Sequence, residues 1–420
     1  MKKNILVFPC GSEIGLDIYS SIEYSTHFNL IGGSSVEDHG MFVYDNYIDN
    51  IPNISSYDFI NALKDIVKKY SIDAIYPTMD SVIERIKLHE EELGCRVISS
   101  PYDTTKICLS KRLTYDILTG IVRVPHVYEI KEITKFPVFV KPNVGYGSRG
   151  AKVINSGLEF GQLSTEEDYV ICEYLPGEEY TVDCFSDFEG NLLYVNARKR
   201  NRIKFGISVN TSFEKDQREF QEFATKINSH LKFTGAWFFQ VKRDINEQLC
   251  LLEIAARLGG SSLLSRAIGV NLALLSVFTA FGMNVSICKN SYNVVLDRAL
   301  NAKYISDIKY DKVYVDFDDC LIIDKSKVNT KLIAFLYKCR NENVKVILLT
   351  KHDGDLNSKL SKFALTPIFD NIIHIPPTEN KVEKISGNAI FIDDSFAERE
   401  AVKNKLGIPV FSPDMIDVLM

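Results

Sequence analysis

Phe136-Pro137-Val138-Phe139-Val140-Lys141-Pro142-Asn143-Val144-Gly145-Tyr146-Gly147-Ser148-Arg149-Gly150 sets a lysine at the end of an apolar strand and follows it with a glycine-rich loop. Glycines let backbone N–H groups come close to phosphate oxygens, and a lysine at the strand end adds a point charge. The stretch therefore predicts phosphate binding. It is not a Walker loop, because GxxxxGK[ST] is absent and the lysine precedes the glycines.

On either side of this loop, short β-branched runs alternate with helical patterns almost from end to end, as expected of an α/β chain with substantial parallel sheet. The chain has 420 residues, 45% hydrophobic and 25% charged, enough for two or three domains with ample core. Residues 1–105 read as a small doubly wound α/β unit with strands over 4–8, 30–33, 74–77 and 96–99 and a helix over 57–69. Within it, Gly11-Ser12-Glu13-Ile14-Gly15 lacks the full GxGxxG spacing and reads as a tight strand-to-helix turn. Residues 106–300 carry longer strands and a hairpin turn at Phe188-Glu189-Gly190-Asn191. After a polar connector, residues 309–420 repeat strand and helix around strands over 313–315, 344–349 and 389–392, enough for one compact α/β domain.

Composition excludes several classes. Against 55 Asp+Glu stand 49 Lys+Arg, a net charge of −6, without the basic footprint of a general nucleic-acid binder. Nine scattered cysteines with no CxxC pair fit neither a disulfide framework nor a zinc site and point to a reducing compartment. The opening apolar run is too short for a signal peptide, and no apolar stretch reaches the roughly 18 residues that span a bilayer. A cytoplasmic protein with neither nucleic-acid nor membrane partners is expected.

Further motifs join the glycine loop. Ser110-Lys111-Arg112-Leu113 precedes it, Cys172-Glu173-Tyr174-Leu175-Pro176-Gly177-Glu178-Glu179 follows, and Phe239-Gln240 is succeeded by Leu252-Glu253-Ile254-Ala255-Ala256-Arg257. In this order they resemble the ATP-grasp carboxylate-amine ligases, similar to biotin carboxylase, the halves of carbamoyl-phosphate synthetase and the pyrrolysine-biosynthesis ligase. The resemblance covers roughly residues 1–300 and implies an ATP-grasp fold. It implies that Lys111, Lys141, Gly145, Gly147 and Ser148 hold ATP phosphates, Glu173 and Leu175 the adenine, and Glu179 the ribose. It also gives Gln240 and Glu253 to Mg²⁺, and Arg257 to stabilising an acyl phosphate. Carboxylate and amide oxygens suit Mg²⁺ bridging ATP phosphates. One departure stands out: the common Glu-x-Asn-x-Arg pattern has Ala255 at the Asn position, and alanine cannot coordinate. The basic segment Arg198, Lys199, Arg200, Arg202 and Lys204 reads either as a solvated hairpin or as a holder of anions.

A second constellation lies downstream. Asp316-Phe317-Asp318 follows a buried strand, Thr350 ends another, Lys381 follows a Pro-containing loop, and Asp393-Asp394 end a third. Buried like charges are costly unless a cation neutralises them, so a metal is expected. Any one of these residues alone also serves to cap a helix or end a strand. Together they resemble the haloacid dehalogenase (HAD) superfamily, in capless form and with a Rossmannoid fold. The resemblance makes Asp316 the nucleophile and Asp318 the acid and base, and puts Thr350 and Lys381 on the phosphoryl oxygens. It places Mg²⁺ on Asp316, Asp318 through its backbone carbonyl, and Asp394. Glu398 takes the position of a supporting acid, Cys320 replaces the usual Thr, and Lys384 rivals Lys381.

The two resemblances together imply a bifunctional, ATP- and Mg²⁺-dependent enzyme. A ligase would join a small-molecule carboxylate to an amine through an acyl phosphate, releasing ADP and phosphate, and a phosphatase would act on a phosphorylated substrate or product. A homodimer is the common state of such ligases. The alternative is an ATP-binding regulatory or assembly module with an inactive ligase or a scaffold HAD-like domain, for which Ala255 speaks.

Overall fold

The computed structural model describes residues 2–145, 149–163, 167–204, 206–300 and 302–420, and the chain divides into two compact units, residues 1–300 and 301–420. Among the described residues no helix is long and apolar enough to cross a membrane.

The first unit opens on a five-stranded parallel sheet of β1 (Lys3–Phe8), β2 (Phe28–Gly33), β3 (Tyr47–Ile48), β4 (Ala74–Pro77) and β5 (Arg96–Val97), in the order β3-β2-β1-β4-β5. Alternate residues of β1 enter different cores: Ile5 and Val7 pack on one face, Leu6 and Phe8 on the other. Burial on both faces explains why β1 is an unbroken apolar run. Chain order reverses between β1 and β4, and the crevice beyond their carboxyl ends is where open α/β sheets take ligands. The turn after β1 is the tight turn its sequence predicts. Ser12 caps the helix Glu13–Ile22 by accepting from the Gly15 N–H at 3.0 Å, and a Cβ on Gly15 would lie 2.2 Å from the Cys10 carbonyl oxygen.

Next comes a small antiparallel sheet of β6 (Val138–Pro142), β7 (Lys152–Ile154) and β8 (Tyr169–Glu173), in the order β7-β6-β8. A six-stranded sheet follows, made of β9 (Glu179–Ser186), β10 (Leu192–Lys204), β11 (Ile207–Phe213), β12 (Gly235–Arg243), β13 (Leu249–Ala255) and β14 (Val295–Asp297). Its order is β13-β12-β9-β10-β11-β14, with the hairpin at 188–191 joining β9 to β10. The apolar run near residues 270–283 forms the helix Leu272–Ala280, whose Leu272, Ala273 and Val277 join one core with Phe185 of β9, Ala236 of β12 and the residues of β1. That burial between two sheets accounts for a segment apolar on every side.

The second unit is a five-stranded parallel sheet of β15 (Lys312–Val315), β18 (Lys345–Thr350), β19 (Asn371–His374), β20 (Ala389–Ile392) and β21 (Val410–Phe411), in the order β19-β18-β15-β20-β21. A short hairpin, β16 (Ile322–Ile323) and β17 (Lys327–Val328), follows the central strand. Val313 and Val315 face one core and Tyr314 the other, so the central strand is again covered on both sides.

Candidate active sites

In the first unit a cavity of about 640 Å³ is bounded by β6–β8, the six-stranded sheet and the carboxyl ends of β1 and β4. Lys111, Lys141, Gly145, Glu173, Leu175, Glu179, Gln240, Glu253 and Arg257 all line it. Gly147 and Ser148 lie outside the described residues.

Two lysines reach it from different elements. Ser110 caps the helix Lys111–Leu118, and its hydroxyl donates to Asn143 Oδ1 at 3.0 Å, tying this helix to the loop after β6. Lys111 Nζ then donates to the Gly145 carbonyl at 3.4 Å. Lys141 on β6 is 5% exposed, and its Nζ donates to the Tyr115 hydroxyl at 2.6 Å and to the Leu252 carbonyl at 2.9 Å. Burial lowers its pKa, against the opposing pull of Cys172 and Glu253. Lys141 is thus held by neutral oxygens, leaving its charge to an incoming anion.

The basic segment divides where the β10–β11 register shifts, between Arg200 and Arg202. Arg198 and Arg200 on β10 line the cavity, whereas Arg202 is solvent-exposed and pairs with Asp297 at 2.8 Å. Arg198 Nε donates to Asp183 Oδ2 at 2.8 Å with both side chains almost wholly buried. Arg200 pairs with Glu179, and its Nη1 donates to Gln240 Oε1 at 2.8 Å. The acids expected at adenine and ribose therefore already have partners. Glu173 accepts from the His126 N–H at 2.8 Å and from Arg123 Nη2 at 3.0 Å, and Glu179 takes Arg200.

Gln240 and Glu253 are register partners across β12 and β13, so the antiparallel pairing itself puts their side chains next to each other at the cavity wall. This pair fits a divalent cation as one carboxylate and one amide oxygen, although Arg200 occupies the amide oxygen and Ala255 offers none. Arg257 donates through Nε and Nη2 to Asp80 Oδ2, at 2.9 and 2.7 Å. Asp80 opens the helix after β4, so the arginine is aimed by the first sheet. Asp80, Asp183 and Tyr115 escaped the sequence reading because their partners lie 177, 15 and 26 residues away.

In the second unit the residues gather at the carboxyl ends of β15, β18 and β20. Lys381 Nζ lies 2.8 Å from Asp316 Oδ1 and 2.6 Å from Asp393 Oδ2. All three side chains are buried, and Thr350 is buried at the end of β18. Lys384 instead turns to Glu379 at 2.6 Å, in solvent. Burial raises the Asp316 pKa, with Lys381 opposing, and pushes Asp393 up to about 6. For Lys381 burial acts downward, but the two carboxylates outweigh it and raise its pKa.

Asp316, Asp393 and Asp394 each offer a carboxylate oxygen within 4.8 Å of one another, a donor set that fits a hard divalent cation. The resemblance gives the metal the Asp318 backbone carbonyl rather than its side chain, and the Asp318 carboxylate turns to His352 at 2.8 Å, while the side-chain cluster adds Asp393 to Asp316 and Asp394. Glu398 pairs with Lys351 at 2.6 Å, and Cys320 Sγ contacts the Ile392 carbonyl at 3.8 Å.

A family profile described as "ATP-grasp in the biosynthetic pathway with Ter operon" matches residues 165–307. The D-alanine–D-alanine ligase of Thermotoga sp. (strain RQ2) is 35% identical over 109 residues, 23% of this chain and 36% of that protein. The ligase of the same name from Thermotoga petrophila is 28% identical over 145 residues, 30% of this chain and 46% of that protein. These matches span less than half the length of the curated relatives.

Among solved structures, biotin carboxylase from Campylobacter jejuni superposes with a TM-score of 0.56 at 17% identity, covering 68% of this chain and 72% of that one. N5-carboxyaminoimidazole synthetase from Staphylococcus aureus complexed with ADP gives 0.57 at 18%, covering 68% and 79%. L-amino acid ligase from Bacillus licheniformis gives 0.54 at 16%, covering 67% and 74%. The fold these three share with this chain is the ATP-grasp fold.

Proposed function

We propose that the chain is a bifunctional enzyme, an ATP-dependent carboxylate-amine ligase in the first unit and a Mg²⁺-dependent phosphatase in the second. The observation that carries the ligase reading is the single cavity in which Lys111, Lys141, Arg200, Glu253 and Arg257 converge. The named relatives support it: a solved neighbour carries ADP, and the curated ones are ligases of two amino acids. Here Lys111 and Lys141 would neutralise ATP phosphates, and Gln240 and Glu253 would hold Mg²⁺, which offsets charge on the transferring phosphoryl group. A substrate carboxylate oxygen attacks the γ-phosphorus, the bond to ADP breaks, and Arg257 faces the acyl phosphate formed. An amine nitrogen then attacks the carbonyl carbon, phosphate leaves with the carbonyl-oxygen bond pair, and the nitrogen loses a proton. Positioning and fixed charge supply most of the acceleration.

The phosphatase reading is supported by Lys381 bridging Asp316 and Asp393 at three parallel strand ends. Mg²⁺ on Asp316, Asp394 and the Asp318 carbonyl would lower the charge barrier to attack by a weak carboxylate nucleophile. Asp316 forms the new bond to phosphorus while the ester oxygen leaves with a proton from Asp318. Water then attacks phosphorus and returns a proton to Asp318 as the bond between Asp316 and phosphorus breaks, which frees phosphate and restores the Asp316 carboxylate. Thr350 and Lys381 hold the phosphoryl oxygens. A second reading, an ATP-binding module without ligation, draws on Ala255, which removes one metal donor from β13.

Incubation with ATP, Mg²⁺ and ¹⁸O-carboxylate acids in paired sets with amines tests the ligase. Ligation through an acyl phosphate moves one ¹⁸O from the acid into the released phosphate. ATP binding with no ADP formed under any pairing would instead establish the module reading.

A further inference from the structure

We propose that His352 is the positioning residue of the second unit, holding the Asp318 carboxylate so that its proton reaches the leaving oxygen. The proposal rests on the phosphatase reading and adds a group that the sequence motifs do not contain. Asp318 stands two residues beyond Asp316 at the end of β15, and His352 two beyond Thr350 at the end of β18. Parallel pairing of these strands brings the two loops side by side. His352 Nδ1 lies 2.8 Å from Asp318 Oδ2, with the histidine side chain 9% exposed and the aspartate 43%.

The histidine is itself held from three directions. Its ring meets Phe317 edge to face at 5.0 Å, its N–H donates to Thr350 Oγ1 at 3.2 Å, and its carbonyl accepts from His374 Nε2 at 2.7 Å. Nε2 is buried and has no hydrogen-bond partner among the described residues. That fixes the tautomer: a proton on Nε2 would bury an orphan N–H, which proteins tolerate less than an unused acceptor. The proton therefore sits on Nδ1 and is donated to Asp318 Oδ2.

A half-exposed carboxylate otherwise turns over a broad range about its terminal torsion. Fixing Oδ2 leaves Oδ1 to carry the transferable proton. It passes from Oδ1 to the ester oxygen as that oxygen's bond to phosphorus breaks and the Asp316 oxygen–phosphorus bond forms. A general acid contributes about 10²–10⁴-fold, and only within hydrogen-bond reach of the atom it protonates. The contribution matters most when the leaving oxygen is strongly basic.

The test compares wild type, His352→Ala and His352→Asn in the full chain with Mg²⁺, reading kcat/KM on p-nitrophenyl phosphate and on glycerol 2-phosphate. Asparagine keeps a donor near the Nδ1 position. His352→Ala should lose about 30-fold or more on the alkyl ester and only about threefold on the aryl ester, with His352→Asn recovering most of the alkyl loss. An equal loss on both esters, no loss on either, or failure of asparagine to rescue would overturn the role. Hydrolysis of both esters equally by wild type and Asp316→Asn would instead overturn the phosphatase reading beneath it.

Discussion

Lys141 and Lys381 are both buried lysines at candidate phosphate sites, and their proton affinities move in opposite directions. Lys141 is surrounded by the Tyr115 hydroxyl and the Leu252 carbonyl, and burial lowers its pKa. Lys381 sits between Asp316 and Asp393, whose charges overcome burial and raise it. In the first site Lys141 has no acid partner among the described residues, while Arg198, Arg200 and Arg257 are already paired with Asp183, Glu179 and Asp80. In the second, one lysine stands against two buried carboxylates with Asp394 beside them, an acidic excess that a divalent cation would offset.

The comparison sharpens where the first unit also pairs a buried cation with an acid. Asp183 and Arg198 neutralise each other away from water, so removing one member strands the other. Asp183→Leu should destabilise the first unit by about 3–5 kcal/mol in denaturant melts, and Asp183→Leu with Arg198→Met should recover most of it. A single variant as stable as wild type would mean that the pair contributes nothing to the fold.

Asp17 supplies the smaller effect. Its Oδ2 is buried with no hydrogen-bond partner among the described residues, and burial pushes its pKa up to about 7 despite Arg298 and Arg266. Because the folded value exceeds the ordinary one of about 3.9, the proton is bound more tightly in the fold. The associated stability is present below about pH 4 and lost as pH rises through about 7. The Tm difference between Asp17→Asn and wild type should therefore shift in the variant's favour by several degrees between pH 4 and pH 8. A difference flat in pH would show that Asp17 titrates normally.

Much of this architecture was legible because burial on both faces writes itself into strands such as Ile5-Leu6-Val7-Phe8 and Val313-Tyr314-Val315. The strand ends then carried Lys141, Asp316, Thr350 and Asp394 in readable order. Contacts made only by the fold were not legible. Asp80 reaches Arg257 across 177 residues, and His352 reaches Asp318 across 34. The basic run at 198–204 was ambiguous for a different reason: alternation would put Arg198, Arg200 and Arg202 on one face, but a register shift after Arg200, invisible in the sequence, leaves Arg198 and Arg200 lining the cavity and Arg202 outside it. Which of Asp393 and Asp394 meets Lys381 was likewise not legible, since adjacent aspartates on a strand end look equivalent until one is buried against a lysine.

The contrast between the two lysines makes one central claim, that the chain carries two chemically separate sites. A crosswise measurement on the full chain tests it directly: ATP affinity by calorimetry and p-nitrophenyl phosphate hydrolysis with Mg²⁺, for wild type, Lys141→Met and Asp316→Asn. The account predicts that Lys141→Met weakens ATP binding at least about tenfold with hydrolysis retained, and that Asp316→Asn abolishes hydrolysis with ATP affinity retained. Loss of both properties in either folded variant would contradict it.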